Sequence, residues 1–142
     1  MAFVTGAFPA DWYGGKHLPE YLRNNWRSFK RWYAVLHRFD DAGNHLGTYA
    51  WSGGTTADGE DAAIRRANTI LEELLTALGE LRFCDVNVRT FGVEMDGYFF
   101  GLVYRCDDAE EVDNPQAKVE SIMLEPNDIM FHPPWDSGEY ST

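Results

Sequence analysis

The chain is short of cysteine, of long apolar runs and of basic side chains, and each shortage removes a class of protein. Its 142 residues include two cysteines, Cys84 and Cys106, too few for a disulfide scaffold and in neither CxxC nor metal-ligand spacing. Both read as buried thiols of a protein kept in the reducing cytoplasm. No stretch approaches the ~20 apolar residues that a membrane-spanning helix needs. The opening MAFVTGAFPADWYGG also lacks the basic and sustained apolar regions of a secretory signal. Only 12 basic residues stand against 23 acidic ones, for a net charge of −11. That balance repels nucleic acid and anionic membrane and favours a basic protein partner or serves solubility alone. Internal repeats and low-complexity linkers are missing as well, so residues 1–142 are expected to form one domain.

What is present is apolar and aromatic material in quantity. Hydrophobic residues make up 44% and aromatics 15%, enough to oppose chain entropy and form a core without staples. Glycines and prolines among the aromatics of residues 1–15 suggest an irregular arm pinned by Phe3, Phe8 and Trp12. Leu18, Leu22, Trp26 and Phe29 fall near one helical stripe, with Pro19 suited to a first turn. The segment from Lys16 to Arg31 holds five basic residues against Glu20; it carries +4 and leaves −15 to the remainder.

Two hairpins flank the long helix. Trp32–Phe39 and His45–Ser52 read as strands joined through Asp40-Asp41-Ala42-Gly43-Asn44, with Gly43 supplying positive φ. Pairing Phe39 with His45 sets His37 opposite Gly47 and on the same face as His45. Asp58, Glu60 and Asp61 then gather where a helix N-terminus favours negative charge. Ile64, Ala67, Leu71, Leu74, Leu75 and Leu78 follow at helical spacing before Gly79. Phe83–Val93 and Tyr98–Cys106 form the second hairpin through a type I′ Asp96-Gly97 turn. Its register pairs Met95 with Tyr98, Val93 with Phe100 and Phe91 with Leu102. A bulge at Gly92 is needed to return Val86 and Val88 to the same face; the register without it sets Cys106 opposite Asn87 and not Cys84, which disfavours a disulfide between the cysteines. Ala117–Leu124 read as a fifth strand, stopped by Pro126, and an aromatic, proline-containing tail over residues 126–142 lies along the body. The fold class is α+β: an antiparallel sheet of about five strands in the order (α)ββαβββ, with the long helix across one face.

Candidate chemistry sits mainly in the loop and tail. Asp107, Asp108, Glu110, Glu111 and Asp113 lack the alternating ligands of a calcium loop; they read as a solvated charge run or as a docking surface for a basic partner. His132 and Asp136 have the makings of a base and its orienting carboxylate, but Ser137, Ser141 and Thr142 lack a nucleophile motif. His37 and His45 would need a converging carboxylate to hold a metal, and strand histidines are more often exposed. Gly53-Gly54-Thr55-Thr56 has no phosphate-loop lysine and reads as a helix cap. Neither cofactor nor resident metal is expected. Five tryptophans, at 12, 26, 32, 51 and 135, either anchor a binding surface or pin the arm and tail, with Trp135 the one nearest a site.

The compact α+β pattern, the acidic loop Asp107–Asp113 and the tail FHPPWDSGEY together resemble the small acidic immunity proteins of bacterial polymorphic-toxin systems. The resemblance is one of whole-chain character and carries over no individual residue. It implies a non-enzymatic inhibitor that covers a toxin by direct binding. The five loop acids would meet a basic cleft, Trp135 and Tyr140 would anchor the contact, and His132 and Asp136 would lie beside them. Two alternatives stay open. One is a ligand-binding protein or enzyme with a pocket between sheet and tail, lined by His132, Trp135, Asp136 and Tyr104. The other is an adaptor or self-associating subunit that uses the basic helix from Arg23 to Arg31.

Overall fold

The computed structural model describes residues 1–14, 20–79, 89–107, 119–127 and 129–131. Strand β1 (Ala2–Ala7) is followed by three short helices, α1 (Ala10–Gly14), α2 (Glu20–Asn24) and α3 (Trp26–Phe29). The hairpin β2 (Arg31–Phe39) and β3 (His45–Thr55) leads through a 3₁₀ turn at Thr56–Asp58 to the long helix α4 (Glu60–Leu78). Strands β4 (Phe91–Met95), β5 (Tyr98–Asp107), β6 (Val119–Glu125) and β7 (Ile129–Phe131) complete the order. All pairings are antiparallel, in two sheets of order β1-β2-β3 and β4-β5-β6-β7.

The α+β class holds, but one sheet of about five strands becomes two. The reason lies in β2. Tyr33, Val35 and His37 are buried on one face of it and Ala34 on the other, so both faces need cover. Helix α4 covers the Ala34 face, where Ala63 and Ala67 are fully buried. The closest approach falls at Gly53, where a Cβ would collide with the backbone of Ala63 and Ala67. The second sheet covers the other face: Ala7, Tyr33 and Val35 meet Tyr98 and Phe100 in the central core cluster. Tyr33 packs edge-on against Phe100 at 5.3 Å.

The N-terminal arm is corrected from irregular to regular through Ala7. Ala2–Ala7 pair with Leu36–Arg31, and a Cβ on Gly6 would strike Lys30 and the Trp32 ring. That glycine therefore marks close approach within a strand and not a break. Beyond it, Phe8 stacks on Trp12 at 4.9 Å, and Trp12 meets Phe29 at 5.6 Å. This satellite cluster holds α1 against α3. The helix expected from Leu18 is interrupted at Asn25, whose backbone has left helical geometry. The tail expectation is also revised, because Ile129–Phe131 add a fourth strand to the second sheet.

Both turns behave as the sequence suggests. Asp40 Oδ1 accepts from the amides of Ala42 and Asn44 at 3.0 and 2.8 Å, and Gly43 takes a φ of 78°. Asp96 and Gly97 have φ of 51° and 78°, the double positive φ that a type I′ turn requires. The second hairpin keeps the expected register, with Met95, Val93 and Phe91 facing Tyr98, Phe100 and Leu102. It runs through Gly92 opposite Gly101 without the expected bulge. Val86, Val88, Asn87 and Cys84 lie outside the described residues.

Candidate functional site

The most chemically loaded cluster among the described residues is built on the first hairpin. A register shift between Arg38 and Phe39 keeps Phe39 opposite His45 but moves His37 opposite Thr48, not Gly47. The bulge brings the Thr48 hydroxyl between the two imidazoles. His37 Nδ1 and His45 Nε2 each lie 2.8 Å from Thr48 Oγ1, and the rings are 6.0 Å apart. One hydroxyl proton serves one imidazole while the oxygen accepts from the other.

Aromatic rings enclose this relay. His45 stacks on Phe91 at 4.1 Å with an interplanar angle of 8°. His37 packs against Phe91 at 4.8 Å and Phe3 at 5.5 Å, and Phe39 closes against Phe91 at 5.4 Å. The expectation of exposed strand histidines is thus overturned, since His37 is 1% exposed. Burial drives its pKa down to about 4, helped by His45 and the Met1 ammonium. Its Nε2 has no hydrogen-bond partner among the described residues. An unmet acceptor is easier to bury than an unmet donor, which favours the tautomer that donates from Nδ1 to Thr48.

His37 itself is enclosed, whereas His45 is part-exposed. No group of three or more His, Cys, Asp or Glu side chains converges to hold a metal among the described residues. The arrangement is a polar link at the edge of the sandwich in which burial disfavours a charge on His37.

A second feature lies at the turn end of the second hairpin. An open recess of about 930 Å³ is lined by Asp11, Glu94 and Asp96, with Arg31 and Tyr98 at its side. Arg31 stands 5.9 Å from the Tyr98 ring centroid. The Tyr98 hydroxyl donates to the Phe29 carbonyl at 3.0 Å, and the Ala10 amide donates to the Gly97 carbonyl at 2.7 Å. These bonds tie α1, α3 and the Asp96-Gly97 turn into one corner. Burial and the neighbouring Tyr98 raise the Tyr33 hydroxyl to about 12. This corner was not legible in the sequence, because Asp11, Arg31 and Glu94 share no spacing.

The opposite end of the second sheet bears on the loop and tail. Tyr104 pairs with Ile122, and Ile122 with Phe131, so β5 and β7 run side by side across β6 in the same direction. Asp107 is the last residue of β5. Asp108, Glu110, Glu111, Asp113, His132, Trp135, Asp136 and Tyr140 lie outside the described residues. Tyr104, Ile129 and Met130 are 51%, 47% and 50% exposed.

Set against family models, curated proteins and solved structures, the chain matches none of them. Its own geometry defines its class, an α+β protein of two antiparallel sheets and one long helix. Among the described residues no helix is long and apolar enough to cross a membrane.

Proposed function

We propose that the chain is a non-enzymatic binding protein of the immunity type, one that neutralises a basic partner, a toxin domain, by covering it. The observation that carries the reading is the register of the second sheet. The chain leaves β5 after Asp107 and β7 after Phe131 at the same end, with β6 between them. Phe131 is level with Tyr104, three residues before Asp107, so two strand spacings across the sheet and three residues along it separate those exits, about 14 Å. The five loop acids and the His132–Tyr140 tail are far apart in sequence but start from neighbouring points. Half-exposed Tyr104 is level with the β7 exit and three residues before the β5 exit, and half-exposed Ile129 lies two residues before the β7 exit; an apolar surface beside charge suits a protein contact.

Clustered carboxylates raise the association rate more than the lifetime of a complex, because they act on the approaching partner at a distance. Replacing Asp107, Asp108, Glu110, Glu111 and Asp113 by Asn or Ser is expected to slow association about tenfold or more at ~50 mM salt and to flatten its salt dependence. Stopped-flow or surface-capture kinetics with the basic partner reads this directly. An association rate unchanged by the five substitutions removes the loop from the contact.

A further inference from the structure

The corner formed by α1, α3 and the Asp96-Gly97 turn carries charge of both signs. On one side is the recess lined by Asp11, Glu94 and Asp96, all exposed, with Arg31 its one basic lining residue, so that acid outweighs base there. On the other are α2 and α3, which present Arg23 and Arg27 together with Tyr21, 63% exposed. Neither arginine forms an ion pair among the described residues, where the salt bridge is Lys30 to Glu60 at 3.4 Å. Arg27 lies over the Trp26 ring at 5.5 Å, which keeps its guanidinium at the surface beside an aromatic. The bond from Tyr98 to Phe29 joins the two sides.

A patch whose two halves are complementary to each other fits a second copy of itself about a two-fold axis, because each half then meets its complement twice. We infer that this corner is a self-association surface. In the symmetric dimer the arginines of α2 and α3 of each copy enter the acidic recess of the other. Arginine suits the role: its planar fork pairs with two carboxylate oxygens at once, and it stacks on tyrosine.

The net charge of −11 per chain opposes pairing when it is not screened. At ~0.15 M salt the screening length is about 8 Å, which suppresses repulsion between distant acidic faces and leaves the contact pairs largely intact. Association is therefore expected to be strongest near that ionic strength. It should weaken about tenfold or more by ~1 M, where the screening length falls to about 3 Å.

The surface is separate from the one proposed for the basic partner. It lies at the turn end of β5, and the acidic loop begins at the other end, ten residues away or about 30 Å. Failure of one reading leaves the other standing.

Sedimentation velocity of the intact chain, from about 5 μM to about 0.5 mM, tests the inference through a charge swap. One variant carries Arg23→Glu and Arg27→Glu; the other carries Asp11→Lys and Glu94→Lys. Each alone is expected to stay monomeric with an unchanged far-UV spectrum. Their equimolar mixture is expected to regain the dimer, because every repulsive contact has become attractive. A monomeric wild-type chain at all concentrations overturns the proposal. So does a dimer that persists in both variants, or a mixture that does not associate.

Discussion

Because the His37 imidazole is enclosed by Phe3, Phe39 and Phe91, protonation there has to be opposed by the fold. The groups facing it are His45 and the Met1 ammonium, both of which oppose a further positive charge. With a folded-state pKa of about 4 and an unfolded value near 6.5, the unfolded chain takes up the proton first as pH falls. The stability that neutral His37 contributes is therefore complete above about pH 6.5 and is lost between there and about pH 4, roughly 3 kcal/mol in all. Urea unfolding at a series of pH values should show this loss, and His37→Leu should flatten it. Asp40 is held below the usual carboxylate range chiefly by Asn44, and Asp58 chiefly by Thr55. Both lose their contribution at lower pH still, so the two windows separate. Thr48→Val leaves two imidazole nitrogens without their shared partner and should cost about 1–3 kcal/mol. The common face of His37 and His45 was legible from the turn at residues 40–44. The Thr48 bridge was not, because it depends on a one-residue register shift. Burial was not legible either, because the sheet that encloses His37 begins at Phe91, far along the chain.

At the scale of elements, the contact between α4 and the first sheet is set by its smallest residues. The leucine stripe of α4 is legible as a helix face, yet Leu78 is 54% exposed and the fully buried positions are Ala63 and Ala67. Gly53 lies beneath them. Gly53→Ala has to push the helix backbone off the strand and should cost about 2–3 kcal/mol in chemical denaturation, at the upper end of overpacking. Gly79→Ala makes a contrasting control. Its added Cβ meets nothing within 4 Å, so its cost should come from the backbone alone, a φ of 82° with a ψ of −133° that L side chains rarely adopt, about 1–3 kcal/mol. The short helices were harder to read, since each is held by tertiary aromatic contacts such as Trp12 on Phe29 and not by periodicity over many turns. Strand β1 was missed for a related reason: the glycine that admits Trp32 looks, in sequence, like a turn.

The whole molecule is a three-layer arrangement of helix, sheet and sheet, with its charge divided unevenly. The class and both hairpins follow from local signals, because turn chemistry and alternation act over a few residues. Division into two sheets follows from a longer-range demand, the covering of both faces of β2, and strand pairing across that distance leaves no local mark. The acidic loop and aromatic tail were singled out separately, and the β5-β6-β7 register relates the strand ends that precede them, Asp107 and Phe131. Under the binding proposal, the −15 outside the basic segment steers a basic partner toward the loop end. The opposite corner remains free for a second copy.

Site-specific photocrosslinking tests that central claim most directly. A benzoyl-phenylalanine is placed at Tyr104, beside the loop and tail exits, and in a second protein at Tyr21 on α2. Each is irradiated in lysate of the cell the chain comes from, at ~0.1 M and ~1 M salt. The account predicts one stoichiometric adduct with a basic protein from position 104, diminished at high salt and absent from position 21. No adduct at position 104, or the same adducts from both positions, would contradict it.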